Sequence, residues 1–130
     1  MYFRNFYPGD LARQTADFLA KYQPLSGARP SLVAGVVPHA GWRYSGGVAA
    51  RTLKALADNS KASSILLLGA VHRAWLDASA VYPEGEWQTP LGPVVVDGEL
   101  AKEVVEKLGS LVEPNPLAHD SEHSLEVELP

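Results

Sequence analysis

Four histidines, at positions 39, 72, 119 and 123, are the side chains of this 130-residue sequence best suited to hold a metal. There is no cysteine, so zinc ribbons, disulfides and thiol catalysis are excluded from this stretch, and any metal must be held by His, Asp or Glu. His39 closes the apolar run Leu32-Val33-Ala34-Gly35-Val36-Val37 after Pro38, and His72 follows Ile65-Leu66-Leu67-Leu68 after Gly69-Ala70-Val71. If both runs are strands of one parallel sheet, their carboxyl ends share an edge, which is where open α/β sheets bind ligands. The two imidazoles then meet at one rim although 33 residues separate them. Imidazole suits Fe, Cu, Zn and Ni, and two His with one carboxylate make the facial arrangement that leaves non-haem iron open to O₂ and substrate. The bland alternative is that each histidine only hydrogen-bonds its own loop.

The second cluster is His119-Asp120-Ser121-Glu122-His123. Its His-x-x-Glu-His spacing matches the inverted zinc-peptidase motif, in which two His ligands one helical turn apart flank a catalytic Glu. That chemistry needs His119 inside a helix, whereas Pro114, Pro116 and the turn-prone Asp120-Ser121 start the helix after it. A zinc peptidase is therefore the minor alternative. Around His39 the segment Gly41-Trp42-Arg43-Tyr44-Ser45-Gly46-Gly47 offers small residues for close backbone approach. It also offers helix N-terminal N–H groups for an anion, which makes Arg43, Tyr44 and Ser45 candidate substrate-pocket residues. Ordinary capping with glycines in a tight turn reads equally well.

These residues must be positioned by alternating strands and helices. Asp10 is placed to cap a helix over 11–22, Ser45 one running to about Asp58, and Asp97 one running to about Leu108. The runs 32–37 and 65–68 are apolar throughout, as strands buried on both faces are. With the helix between them they read as a right-handed βαβ unit. Residues 78–82 form a third strand, and 87–96, broken by Pro90-Leu91-Gly92-Pro93, a turn followed by a strand. Gly27 to Pro30 is turn chemistry, Pro114-Asn115-Pro116 a connector, and a last helical pattern starts near Ser121. The expected fold is α/β, a mostly parallel central sheet flanked by helices, in a single domain over 1–130. Leu125, Val127 and Leu129 begin an apolar surface that stops at Pro130, so the domain is expected to be C-terminally truncated.

Hydrophobic residues at 46%, charged residues at 20% and a net charge of −4 without a basic stripe describe a folded protein and no nucleic-acid binder. No apolar run approaches the roughly 20 residues of a membrane span, and none near the N-terminus makes a signal-peptide core. A membrane partner is not expected, and the expected location is the cytoplasm.

Three segments carry a resemblance. PHAGWRYSGGVAA at 38–50, the ILLLGAVH stretch ending at His72, and EHSLEVELP at 122–130 resemble, in order, the signatures of the Memo-like family, whose bacterial members are called AmmeMemoRadiSam system protein B. FYPGD at 6–10 and QTPLGPVVVD at 88–97 fit as well. The resemblance implies a fold shared with the class III extradiol dioxygenases. It makes His39 and His72 metal ligands, and places Glu122 and His123 in the same pocket with a catalytic role, His123 as acid or base. The expected cofactor is a divalent transition metal, iron foremost, with copper or zinc as alternatives. The implied activity is dioxygenase-like or redox chemistry on an unidentified small substrate, and the rival is a non-catalytic module that binds a peptide or protein. The family's third ligand, a carboxylate or a Cys, falls in a C-terminal half beyond these residues, so binding by the two histidines alone is expected to be weak. Homo-oligomerisation, or association with the missing half, is expected to cover the apolar face. Where the family usually has Pro and a small polar residue before the second His, and often a His after it, this sequence has Ala70, Val71 and Arg73.

Overall fold

The computed structural model describes residues 4–24, 26, 31–120 and 122–130. Its helices are α1 (Leu11–Ala20), α2 (Trp42–Asn59) and α3 (Gly98–Leu108); its strands are β1 (Ser79–Val81), β2 (Glu86–Thr89), β3 (Gly92–Val95) and β4 (Val112–Pro114). Short 3₁₀ turns lie at Arg4–Phe6, Gly109–Leu111, Pro116–His119 and Glu126–Glu128. The expected turn at 27–30 and the expected helix start at Ser121 lie outside the described residues.

The three long helices fall where apolar periodicity puts them, but their starts differ. Asp97 accepts the backbone N–H of Leu100 at 3.0 Å, an N-cap satisfying one of the orphan donors of α3. Asp10 makes no such cap. Its carboxylate is occupied by Arg13 Nε at 3.1 Å and Gln14 Nε2 at 2.8 Å, one turn along α1. α2 begins three residues before Ser45, with Gly41 as N-cap, and Ser45 is buried in its first turn. α1 packs on α2 around Leu11, Trp42, Ala49 and Ala50, all buried, with the Phe18 ring 6.3 Å from that of Trp42. Gly46 lies one turn beyond Trp42, and a Cβ there would sit 2.8 Å from the indole, so only glycine lets the ring lie along its own helix.

The sheet is smaller than the sequence implies. β1 and β4 pair in parallel, Ser79 opposite Val112 and Val81 opposite Pro114; β2 and β3 form an antiparallel hairpin, Glu86 opposite Val95 and Thr89 opposite Gly92. Thr89 closes the hairpin turn, its hydroxyl donating to the Gly92 carbonyl at 2.7 Å and accepting the Leu91 N–H at 3.1 Å. Thus β1 confirms the expected strand at 78–82, and β4 is an unexpected strand that ends at Pro114, the first residue of the expected connector. The runs 32–37 and 65–68 join neither sheet. Val33, Val36 and Leu68 are 92%, 94% and 87% exposed, against the expectation of strands buried on both faces. Apolarity makes a segment suited to burial, but a ladder needs a neighbour in register, and here β1 and β4 take each other. Among the described residues the architecture is therefore α/β with one parallel and one antiparallel pair of strands, and no central parallel sheet is formed.

The first run rests on α2, where a Cβ on Gly35 would meet Thr52 at 2.8 Å, and its start is tied down by Leu32 N–H donating to the Asn59 carbonyl. The second borders a cleft of about 830 Å³ together with α2, β1, α3, Leu125 and Leu129. Among the described residues no helix is long and apolar enough to cross a membrane.

Candidate metal centre

His39 and His72 converge, but loops resting on α2 and on the 122–128 segment bring them together, not a paired βαβ ladder. The His39 loop runs into the N-terminus of α2, where Ser45 donates its hydroxyl proton to the Ala40 carbonyl at 2.7 Å. The His72 loop leans on the last segment of the chain. A Cβ on Gly69 would lie 2.6 Å from both Leu125 Cδ2 and Ser124 Oγ, and the Ser124 hydroxyl donates to the Ala70 carbonyl at 2.8 Å. We predict that Gly69→Ala forces this hydrogen bond apart and shifts the His72 loop, lowering both thermal stability and metal affinity. A G69A protein with wild-type melting temperature and zinc affinity would contradict the contact.

The three imidazoles of His39, His72 and His123 form one group. Ring centroids are 5.3 Å apart for His39 and His72, 5.9 Å for His39 and His123, and 4.9 Å for His72 and His123, the last pair nearly stacked at 25°. One ring nitrogen from each lies within 4.8 Å of those of the others. His39 and His123 are half-buried and His72 is exposed. Phe6 packs over His123 with its centroid 4.5 Å away, giving the 6–10 segment a role in the site.

Glu122 lies behind the group, buried. Its carboxylate accepts the His72 backbone N–H at 2.6 Å and the backbone N–H groups of His123 and Ser124, each at 2.8 Å, and its two oxygens lie 2.9 and 3.1 Å from His72 Nδ1. Burial alone would push this carboxyl up. The N–H donors of His72 and Ser124, the His72 ring and the His123 N–H outweigh it and hold the group down at about 2, so Glu122 is ionised at neutral pH. His123 is shifted below the usual imidazole range, chiefly by burial, with the nearby His72, His39 and Arg73 acting in the same direction against the Glu122 charge. A neutral imidazole is the form that binds metal.

The donor set fits a borderline divalent ion such as Fe, Cu or Zn: three nitrogens and a nearby carboxylate already saturated by N–H donors. His39, His72 and His123, with their ligand atoms within 4.8 Å of one another, would be the residues that hold such an ion. The exposed His72 faces a cleft of about 680 Å³ lined by Arg73, Trp75 and Leu111 among others, leaving an open side for a further ligand.

His119 is not in the group. It ends a 3₁₀ turn, its ring nitrogen Nδ1 lies 3.1 Å from the Asn115 carbonyl, and it packs edge-on against Tyr82 and Trp87, each centroid 5.5 Å away. Because His119 ends a 3₁₀ turn, lies outside the group and has Asn115, Tyr82 and Trp87 as its neighbours, it makes no ligand pair with His123, and the peptidase alternative loses its geometry. Of the three expected pocket residues, Arg43 and Tyr44 stand exposed on the first turn of α2, whereas Ser45 is buried with its hydroxyl bound to Ala40. Ser45 thus holds the His39 loop in place. The stapling role of Glu122 and Ser124 and the cover given by Phe6 were hidden in the sequence, since each partner lies far away along the chain.

The sequence matches known relatives over the segments that build this group. A family model described as Memo-like protein matches residues 3–130. A MEMO1 family protein of Thermococcus onnurineus is 42% identical over 129 residues, 97% of this chain and 43% of the relative. One from Pyrococcus horikoshii is 40% identical over 126 residues, covering 96% and 43%, and one from Pyrococcus abyssi 48% over 99 residues, covering 76% and 34%. The chain thus spans less than half the length of these relatives. With the match running through all the segments that build the histidine group, the chain belongs to the Memo-like protein family.

Proposed function

We propose that the chain binds one divalent transition metal, iron foremost, through His39, His72 and His123, and serves redox or dioxygenase-like chemistry on a small molecule. The observation that carries this reading is the meeting of three ligand nitrogens within 4.8 Å from three separate segments. In this reading His123 is the third nitrogen ligand and not a free acid or base, because its ligand atom belongs to the same group as the other two. Bound iron would supply redox and Lewis-acid chemistry toward O₂ and an aromatic diol. The protein's own part is to present neutral imidazoles, keep one side open at His72, and offer Arg43 and Tyr44 from the start of α2 to an anionic substrate group. The relation to class III extradiol dioxygenases implied by the signatures supports the choice of chemistry.

The test is anaerobic loading with Fe(II), elemental analysis, and O₂ uptake on adding a catechol. One equivalent of metal and diol-dependent O₂ consumption are expected. Substoichiometric, easily chelated metal would defeat the three-histidine centre, and a full equivalent without O₂ consumption would defeat the dioxygenase chemistry. A partner interaction indifferent to metal removal would favour the peptide-binding alternative.

A further inference from the structure

We infer that Glu122 is the positioning residue of this centre: it locks His72 in the Nδ1–H tautomer, so that only Nε2 carries a lone pair for the metal. The inference rests on the proposed metal site and adds to it a residue that never touches the ion. The backbone N–H and the ring nitrogen Nδ1 of His72 reach the same carboxylate, at 2.6 Å and at 2.9 to 3.1 Å. Fixing both ends of so short a side chain fixes its torsions and leaves the ring one orientation. A carboxylate can only accept, so the ring nitrogen facing it must carry the proton. The lone pair is left on Nε2, the nitrogen away from Glu122.

Two other roles for Glu122 are less consistent with its contacts. As a metal ligand or a general base it would need a free lone pair. Oε1 already faces the N–H groups of His123 and Ser124 and the His72 ring, while Oε2 takes the His72 backbone N–H and shares the ring proton. Glu122 also ties the loop at 70–72 to the turn at 122–124, reinforced by Ser124 donating to Ala70. His72 and His123 belong to these two segments, so the same carboxylate sets the ring and the spacing of two ligands. Carboxylates behind metal-bound imidazoles act in this way, and their loss typically lowers metal affinity 10–100-fold.

Glu122→Gln separates tautomer control from bulk. The amide keeps the size of the side chain but brings an NH₂ group, which can donate to Nδ1 and shift the proton of His72 to Nε2, where it blocks the metal. Zinc affinity by chelator competition and the His72 tautomer by long-range ¹H–¹⁵N correlation on metal-free protein are the readouts. Wild-type His72 is expected as the Nδ1–H form, with E122Q showing an increased Nε2–H population and 10–100-fold weaker zinc binding. An Nε2–H form in the wild type overturns the inference without need of any variant. So does an E122Q protein that keeps the Nδ1–H form and wild-type zinc affinity. Ser124→Ala loosens the loops without altering the carboxylate; if it weakens zinc as much as E122Q while His72 keeps its tautomer, the effect belongs to the loops and the inference fails. A wild type that binds no zinc overturns the metal centre on its own, whereas the tautomer, read without metal, decides the role of Glu122 separately.

Discussion

Alanine at His39 or His123 is expected to weaken zinc binding by about 100-fold or more, while alanine at His119 leaves it unchanged. The size follows from ligand counting. A four-ligand structural zinc site contributes roughly 10–16 kcal/mol, so each ligand carries about 3 kcal/mol, and each 1.4 kcal/mol is tenfold in affinity. His39 and His123 each supply one nitrogen of the group, and the two that remain after substitution cannot enclose an ion. His119 has the same chemistry and lies four residues from His123, yet it faces Asn115 and packs edge-on against both Tyr82 and Trp87. Its removal should therefore register in the melting temperature and not in metal affinity. Competition titrations on H39A, H123A and H119A, with thermal melts of each, make the comparison. Equal loss of zinc in H119A and H123A would restore the His-x-x-Glu-His pair and discard the three-histidine centre.

The contrast between these histidines shows what could be read along the chain. His39 and His72 are legible because each follows an apolar run and a small-residue turn, a local pattern that survives even though neither run joins a sheet. Strand pairing is not local. Nothing within 32–37 or 65–68 specifies a partner in register, and the pair that forms, β1 with β4, joins segments more than 30 residues apart. Helix caps divide in the same way. Asp97 and Asp10 look alike in sequence, yet Asp97 reaches a backbone N–H while Arg13 and Gln14 claim the Asp10 carboxylate. Glu122 is the extreme case. In sequence it is the centre of a peptidase-like motif, and its role is decided by His72, 50 residues away.

Glu128 should cost the protein stability as pH rises from about 4.5 to about 7, and Glu128→Gln should remove that contribution. Glu128 is only 9% exposed, borders the apolar cleft, and neither carboxylate oxygen has a hydrogen-bond partner. Burial pushes its pKa up to about 7. The folded state therefore binds a proton that the unfolded chain, titrating near 4.5, has already released. Below 4.5 the group is protonated in both states and has no linkage effect. Between 4.5 and 7 the unfolded state gains from ionising, and above 7 the folded state has to hold a buried, unpaired charge. A shift of this size corresponds to a loss on the order of 3 kcal/mol, complete above about pH 7. Glu122 has the opposite sign, because its depressed pKa of about 2 gives stability that is present above 4.5 and lost as pH falls toward 2. His123, held below the usual imidazole range, acts against Glu128 as pH rises toward 6.5, so only the difference between wild type and E128Q isolates Glu128. Urea unfolding of wild type and E128Q at pH 5 and pH 8 checks the slope. The absolute stability of E128Q includes the cost of a buried amide, so the difference between the two pH values is the quantity that decides. Wild type and E128Q losing equal stability between pH 5 and pH 8 would mean that Glu128 is solvated or paired in the folded protein.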